Sequence, residues 1–342
     1  EQFKQALNQF NPIAKDLNAN SSAFDQDVNM RIADCHYMLK EYAAASSTYD
    51  KLIDLNSPQS DYALFQKSMI AGVKSSKDKI KLLSDIIVKF PQSTLANDVQ
   101  YEIALTYIAD ESFSKAIPYL KKLVSSDAAT GMRPKAYLKL GLAYYNNNDN
   151  LNGIDAFKTL IKNYPKSNEA DESMPILKDI YIEEGTPDEY FALLKENRIP
   201  VNINEADSLA YLSASRKYES SDNKIAISSF QNYLKKYPNG AYVNDANYYL
   251  GVCYEKAKDF THAFSSYEIV SLNGISDYFE NASLQAARIS YFELKDFSNA
   301  KKYFQLLMQN GNNEENKLEA LRGLVRAYYQ LKAYGDANEV SK

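Results

Sequence analysis

The chain has 342 residues, of which 45% are hydrophobic, and a formal net charge of −5 with scattered lysines and arginines. This balance argues against nucleic-acid binding, which needs a basic face. No run approaches the roughly 18 apolar residues of a membrane span, and two cysteines cannot form a disulfide framework.

The first predicted element, at residues 1–17, is a helix that looks like the second half of a repeat. Tyrosines then recur at steps of 36 or 37 residues, at Tyr107, Tyr144, Tyr181, Tyr218, Tyr254, Tyr291 and Tyr328. A column of mostly small residues follows eight or nine positions later, at Ala116, Gly153, Ala226, Ala263, Ala300 and Ala337, with Ala45 in an earlier unit and Tyr190 after Gly153. A fixed period of this kind predicts repeated structural units.

Each unit has the pattern of two helices. In one unit the first helix face carries Tyr137, Leu140, Gly141 and Tyr144 at spacings of three and four. An Asn-rich turn at 146–150 precedes a second face with Gly153, Phe157, Leu160 and Ile161. Pro165 then ends the helix, because proline cannot continue a helix interior.

This pattern resembles the tetratricopeptide repeat (TPR), in which Leu-Gly, Tyr, a small residue, an aromatic and Pro follow in order. The match recurs at Leu250-Gly251-x-x-Tyr254 and at Ala45-x-x-x-Tyr49. The resemblance implies an all-α fold, a right-handed α-solenoid superhelix of antiparallel helix pairs. The period of about 37 exceeds the usual ~34 of the family.

The expected organisation is a single array over 1–342, truncated at both ends. Residues 183–207 combine Gly185-Thr186-Pro187 with a short helix and Tyr190 in the small-residue position. We therefore expect an irregular repeat or a bend there, between sub-arrays 21–182 and 208–342.

The junctions between repeats also follow a pattern. They read Phe90-Pro91-Gln92-Ser93, Tyr164-Pro165-Lys166-Ser167 and Tyr237-Pro238-Asn239-Gly240. These junctions resemble those of bacterial cell-envelope TPR proteins of the Tol-Pal-associated periplasmic and outer-membrane assembly lipoprotein types. That resemblance implies a location in the periplasm or at the outer membrane; the alternative is the cytoplasm.

No motif predicts catalysis, a cofactor or a metal site. The sequence lacks a Gly-rich phosphate loop, G-x-S-x-G and H-E-x-x-H. Cys35 and Cys253 fill a position that holds Ala143 in another unit, so both are predicted to be small buried packing residues. His36 stands in the tyrosine column as a packed or partly exposed aromatic, and His262 is predicted to be exposed.

In a TPR superhelix the first helix of each pair lines a concave groove. The groove positions form an apolar strip of Tyr101, Leu105, Ile108, Leu138, Leu142 and Tyr145; further positions are Tyr248, Phe292, Arg322, Arg326 and Tyr329. Exposed apolar strips mark interaction surfaces, whereas a tight superhelix would bury the strip against its own neighbours. TPR grooves that bind acidic chaperone tails carry Lys and Asn at these positions. That set is absent here, although the basic pair Arg322 and Arg326 is present.

The predicted function is therefore a non-catalytic scaffold that binds a protein or peptide partner, as part of a bacterial envelope complex. Two alternatives stay open. One is a structural spacer that assembles with itself or with other repeats of a longer chain. The other is an accessory domain of an enzyme that lies outside this sequence.

Overall fold

A computed structural model describes residues 1–220 and 222–341, with the side chains of residues 128 and 203 left aside. This part of the chain contains nineteen α-helices and no β-strand. The helices are α1 (Gln2–Phe10), α2 (Ala23–Met38), α3 (Tyr42–Asp54), α4 (Ser60–Gly72), α5 (Ser76–Lys89), α6 (Ala96–Ala109), α7 (Phe113–Ser125), α8 (Arg133–Asn146), α9 (Asn150–Asn163), α10 (Asn168–Glu184), α11 (Pro187–Glu196), α12 (Ile203–Glu219), α13 (Asn223–Lys236), α14 (Val243–Lys256), α15 (Phe260–Leu272), α16 (Phe279–Arg288), α17 (Phe297–Asn310), α18 (Glu314–Gln330) and α19 (Tyr334–Val340).

The chain divides into two compact units, Glu1–Ile176 and Leu177–Lys342. In the first unit consecutive helices pack against one another from α1 to α9, and in the second unit they do so from α11 to α19. This nearest-neighbour stacking buries faces that a single helix pair would leave in water. The all-α solenoid prediction is confirmed for each unit, and the predicted bend at 183–207 stays a prediction.

The core of the first unit follows the predicted columns. Ala45, Tyr49 and Leu52 of α3 are fully buried between α2 and Ala63 of α4. Gly153 of α9 lies so close to α8 that an added Cβ would be 3.4 Å from the carbonyl oxygen of Gly141. The small-residue column therefore allows the two helices of a pair to approach closely.

The turn within five of the helix pairs has the same conformation. The residue four positions after the tyrosine column has a positive φ of 53° to 60° at Glu111, Asn148, Lys258, Lys295 and Lys332. An aspartate then caps the second helix in several units; the side chain of Asp149, for example, accepts from the backbone N–H of Asn152. Such a cap satisfies an N–H that the helix leaves without a partner.

One helix of the second unit is shorter than most of the others and has a large residue in the small-residue position. This helix, α11, has only ten residues and begins with Pro187. Tyr190 occupies the small-residue position and is buried, with its ring centroid 6.3 Å from that of Tyr181. The short helix predicted for this stretch is confirmed. From α12 onwards the stacking is regular, with Phe230, Tyr267 and Tyr303 buried in one continuous core.

Candidate protein-binding surfaces

The apolar strip predicted in the first unit lies on α6 and α8 and is only partly accessible. Leu138 is buried, with 5% of its surface exposed, so it offers little to a partner. Tyr101 and Ile108 are half-buried and pack against the core of α6 to α9, and burial raises the pKa of Tyr101. These three residues contribute to internal packing. Leu105, Leu142 and Tyr145 are half-buried, and a binding role for the strip stays a prediction.

The predicted positions of the second unit fall into two groups. Tyr248 is enclosed by other aromatics, with its ring stacked on Tyr278 at a centroid distance of 4.4 Å, and burial raises its pKa. Phe292 and Tyr329 have 50% and 62% of their surfaces exposed. The ring of Tyr329 meets that of Tyr334 edge-on at 5.4 Å.

Three predicted residues, Phe292, Arg322 and Arg326, meet around one cleft of about 450 Å³, here called the arginine cleft. The remaining lining residues are Tyr291, Phe304, Glu315, Leu318, Glu319 and Gly323. Sequence reasoning missed Leu318, although it lies four positions before Arg322 and therefore on the same face of α18. Its side chain is 46% exposed.

The packing of one aromatic ring at this cleft differs from that in two other units. Gly141 of α8 and Gly251 of α14 each make room for an aromatic ring sixteen residues later, Phe157 and Tyr267. In the unit of Tyr291 the corresponding residue is Arg288, which leaves no such room. The ring of Phe304 instead lies over Gly323 of α18, where an added Cβ would be 2.3 Å from its Cζ.

The backbone conformation after α16 also contributes to the arginine cleft. After Arg288 the helix widens into a π-helical turn, Ile289–Glu293, in which the N–H of Leu294 donates to the carbonyl oxygen of Ile289 at 3.0 Å. Such turns insert an extra residue and are frequent at functional sites. This turn carries Phe292, which is half exposed at the edge of the cleft.

Some of the charged side chains around the cleft form an ion pair, whereas others do not. Nε and Nη2 of Arg288 donate to the two carboxylate oxygens of Glu319, both at 2.6 Å, and these hydrogen bonds raise the pKa of Arg288. Arg322 and Arg326 are exposed, one turn apart on α18, and make no ion pair within the described residues. Like charges at this spacing cost about 0.2–0.5 kcal/mol. The cleft thus presents two unneutralised guanidinium groups beside exposed apolar carbon.

The cysteines and histidines are located as predicted. Cys35 and Cys253 are buried free thiols, and burial raises the pKa of Cys253 to about 11. His36 is half-buried and its Nδ1 lies 2.6 Å from Glu41, whereas His262 is exposed. Within the described residues, no three His, Cys, Asp or Glu side chains are grouped so that they could hold a metal ion.

Comparison with known families identifies the repeat. Models described as tetratricopeptide repeat match residues 98–130, 135–167 and 211–270. These segments cover the pairs α6–α7, α8–α9 and, in the second unit, α12–α15 in large part. The chain contains tetratricopeptide repeats, which form scaffolds for protein–protein interaction and are typically non-catalytic. Comparison with curated proteins gave no match.

Solved structures with related arrays are distant. MamA from Desulfovibrio magneticus RS-1 is 14% identical over 51% of this chain and 93% of its own, with a TM-score of 0.40. A tetratricopeptide repeat protein from Parabacteroides merdae is 11% identical over 87% and 98%, with a TM-score of 0.39. The TPR2AB domain of yeast Sti1, in a complex with pHSP90, is 15% identical over 83% and 98%, with a TM-score of 0.34. Likeness at this level carries no functional argument.

Across residues 1–220 and 222–341, no helix combines the length and apolar character that crossing a membrane would require.

Proposed function

We propose that this tetratricopeptide-repeat chain is a scaffold whose arginine cleft binds an acidic peptide segment that also carries an apolar side chain. One observation carries the proposal. Arg322 and Arg326 are unpaired within the described residues and lie beside the exposed side chains of Phe292 and Leu318. A partner that brings carboxylates and an apolar side chain would satisfy both features at once.

The arginines and the exposed apolar side chains of the cleft favour the same type of ligand. A guanidinium forms paired hydrogen bonds with a carboxylate, and charge-assisted bonds are the stronger ones. An incoming anion also removes the repulsion between Arg322 and Arg326. Exposed aromatics and arginines are frequent anchors of binding energy. A volume of about 450 Å³ lies within the usual range of ligand sites, so a few side chains of a peptide fit it.

Fluorescence anisotropy with labelled twelve-residue peptides tests this function. The first peptide alternates Glu with Leu and Phe, the second has Lys for Glu, and the third has Ser for Leu and Phe. We expect only the first to bind tightly. The double variant Arg322→Ser/Arg326→Ser should lose at least about tenfold in affinity, since each charge-assisted hydrogen bond contributes about 1.5–3 kcal/mol.

A matched control removes two positive charges elsewhere. Lys162 and Lys235 are exposed on α9 and α13, and Lys162→Ser/Lys235→Ser should bind the acidic peptide as the wild type does. Equal binding by the two double variants would show that only overall charge matters and would refute the proposed site.

We propose the strip on α6 and α8 as a second, apolar contact surface. Support comes from Leu105, Leu142 and Tyr145, which are half-buried on first helices of their pairs. Leu105→Ser/Leu142→Ser should weaken binding of a protein partner and leave the helix content unchanged. Unchanged binding in this variant would favour internal packing of the strip.

We further propose that the scaffold works in a bacterial envelope complex. The proline-containing junctions, such as 164–167, support this location through their resemblance to envelope proteins. Cell fractionation with an antibody against the chain tests it: enrichment in the periplasmic or outer-membrane fraction is expected, and recovery in the cytoplasm would overturn it.

A further inference from the structure

We propose that Arg288 keeps the arginine cleft open to anions by holding the carboxylate of Glu319 away from Arg322. Arg288 thus acts as a positioning residue that sets the preference for an acidic ligand. This inference rests on the proposed binding of an acidic peptide.

The geometry of the ion pair supports this role. Glu319 lines the cleft, whereas Arg288 lies on α16 outside the lining. Both carboxylate oxygens of Glu319 are engaged, each at 2.6 Å from a guanidinium nitrogen of Arg288. The pair is fully bidentate, the arrangement in which arginine fixes a carboxylate most firmly.

Without Arg288, Glu319 has another partner within reach. It lies three positions before Arg322 on α18, and residues at that spacing are neighbours on a helix surface, with Cβ atoms about 5–6 Å apart. A released Glu319 would pair with Arg322 and neutralise half of the positive charge in the cleft. An incoming carboxylate would then have to displace Glu319.

Arg288 also stands where Gly141 and Gly251 stand in other pairs. The glycines serve packing, because each leaves room for a buried ring. In the unit of Tyr291 the position instead supplies a charge to the next helix pair, as it also does in the unit of Tyr181, where Nζ of Lys178 donates to Glu205 of α12. In this unit Phe304 lies over Gly323 of the next pair, and Arg288 holds the carboxylate of Glu319.

A purely structural role is the competing explanation, since the pair also links α16 to α18. Both side chains are partly exposed, at 39% and 41%, and exposed pairs stabilise proteins little. A double-variant experiment separates the roles, because replacing Glu319 removes the competitor for Arg322 whatever residue stands at 288.

The experiment measures binding of the labelled Glu/Leu/Phe peptide by the wild type, Arg288→Met, Glu319→Gln and the double variant. Arg288→Met should lose roughly threefold to tenfold in affinity, because one negative charge moves next to the site. Glu319→Gln should bind at least as tightly as the wild type. The double variant should return to within about twofold of the wild type, because glutamine does not neutralise Arg322.

The outcomes distinguish the role of Arg288 from the proposed binding function. An unchanged affinity for Arg288→Met, or a double variant as weak as Arg288→Met, would overturn the role of Arg288 while leaving the binding function standing. No binding by the wild type would overturn the proposed function and this inference with it. Circular dichroism of all four proteins checks that the helices remain.

Discussion

Adding one methyl group at Gly141 should destabilise the first unit, although alanine is the better helix former. The new Cβ would lie 2.4 Å from Cε1 and 2.6 Å from Cζ of Phe157. Phe157 is fully buried, so its ring cannot turn into solvent. Overpacking of this kind costs about 1–3 kcal/mol, against a gain in helix propensity of about 1 kcal/mol. The net loss in the free energy of unfolding should therefore be at most about 2 kcal/mol.

Gly335→Ala is the matched control, because an added Cβ there meets nothing within 4 Å. It should raise stability by up to about 1 kcal/mol. Urea unfolding followed by far-UV circular dichroism measures both changes. Adding Phe157→Leu to Gly141→Ala should restore part of the loss by clearing the contact. A Gly141→Ala protein as stable as the control would refute the close approach of α8 and α9.

Three further outcomes follow from single residues. Burial raises the folded-state pKa of Asp34, so the wild type should lose stability as pH rises from about 4 through that pKa. Asp34→Asn should remove this pH dependence, and the same stability–pH profile for the wild type and the variant would contradict the prediction. Cys253, with its pKa raised to about 11, should react with Ellman's reagent at pH 8 only after unfolding, and rapid labelling of the folded protein would be inconsistent with burial. Lys258 has φ of 60°, so Lys258→Gly should raise stability by about 0.5–1 kcal/mol, measured as a higher melting temperature; a lower one would contradict the relief of strain.

The repeat was predictable because each helix pair is defined by local, periodic signals. The tyrosine column, the small-residue column and the polar turns lie within one period of the chain, and Ala45, Gly153 and Tyr190 occupy the positions that these signals indicate. Stacking of neighbours then follows from the need to bury the remaining apolar faces.

The arginine cleft was only partly predictable. Phe292, Arg322 and Arg326 follow from their places relative to the column. The packing of Phe304 over Gly323 and the pairing of Arg288 with Glu319 join different helix pairs, and no single-repeat pattern contains such contacts. For Leu138 the prediction from the repeat was misleading. Its position indicates a groove residue, but packing buries its side chain.

The binding site of the Glu/Leu/Phe peptide can be located by hydrogen-exchange mass spectrometry of the chain with and without the peptide. Bound peptide should slow exchange in the π-helical turn 289–293 and in α18, with little change in α2 to α5. Protection confined to other helices, or none at saturating peptide, would contradict the assignment of the arginine cleft as the binding site.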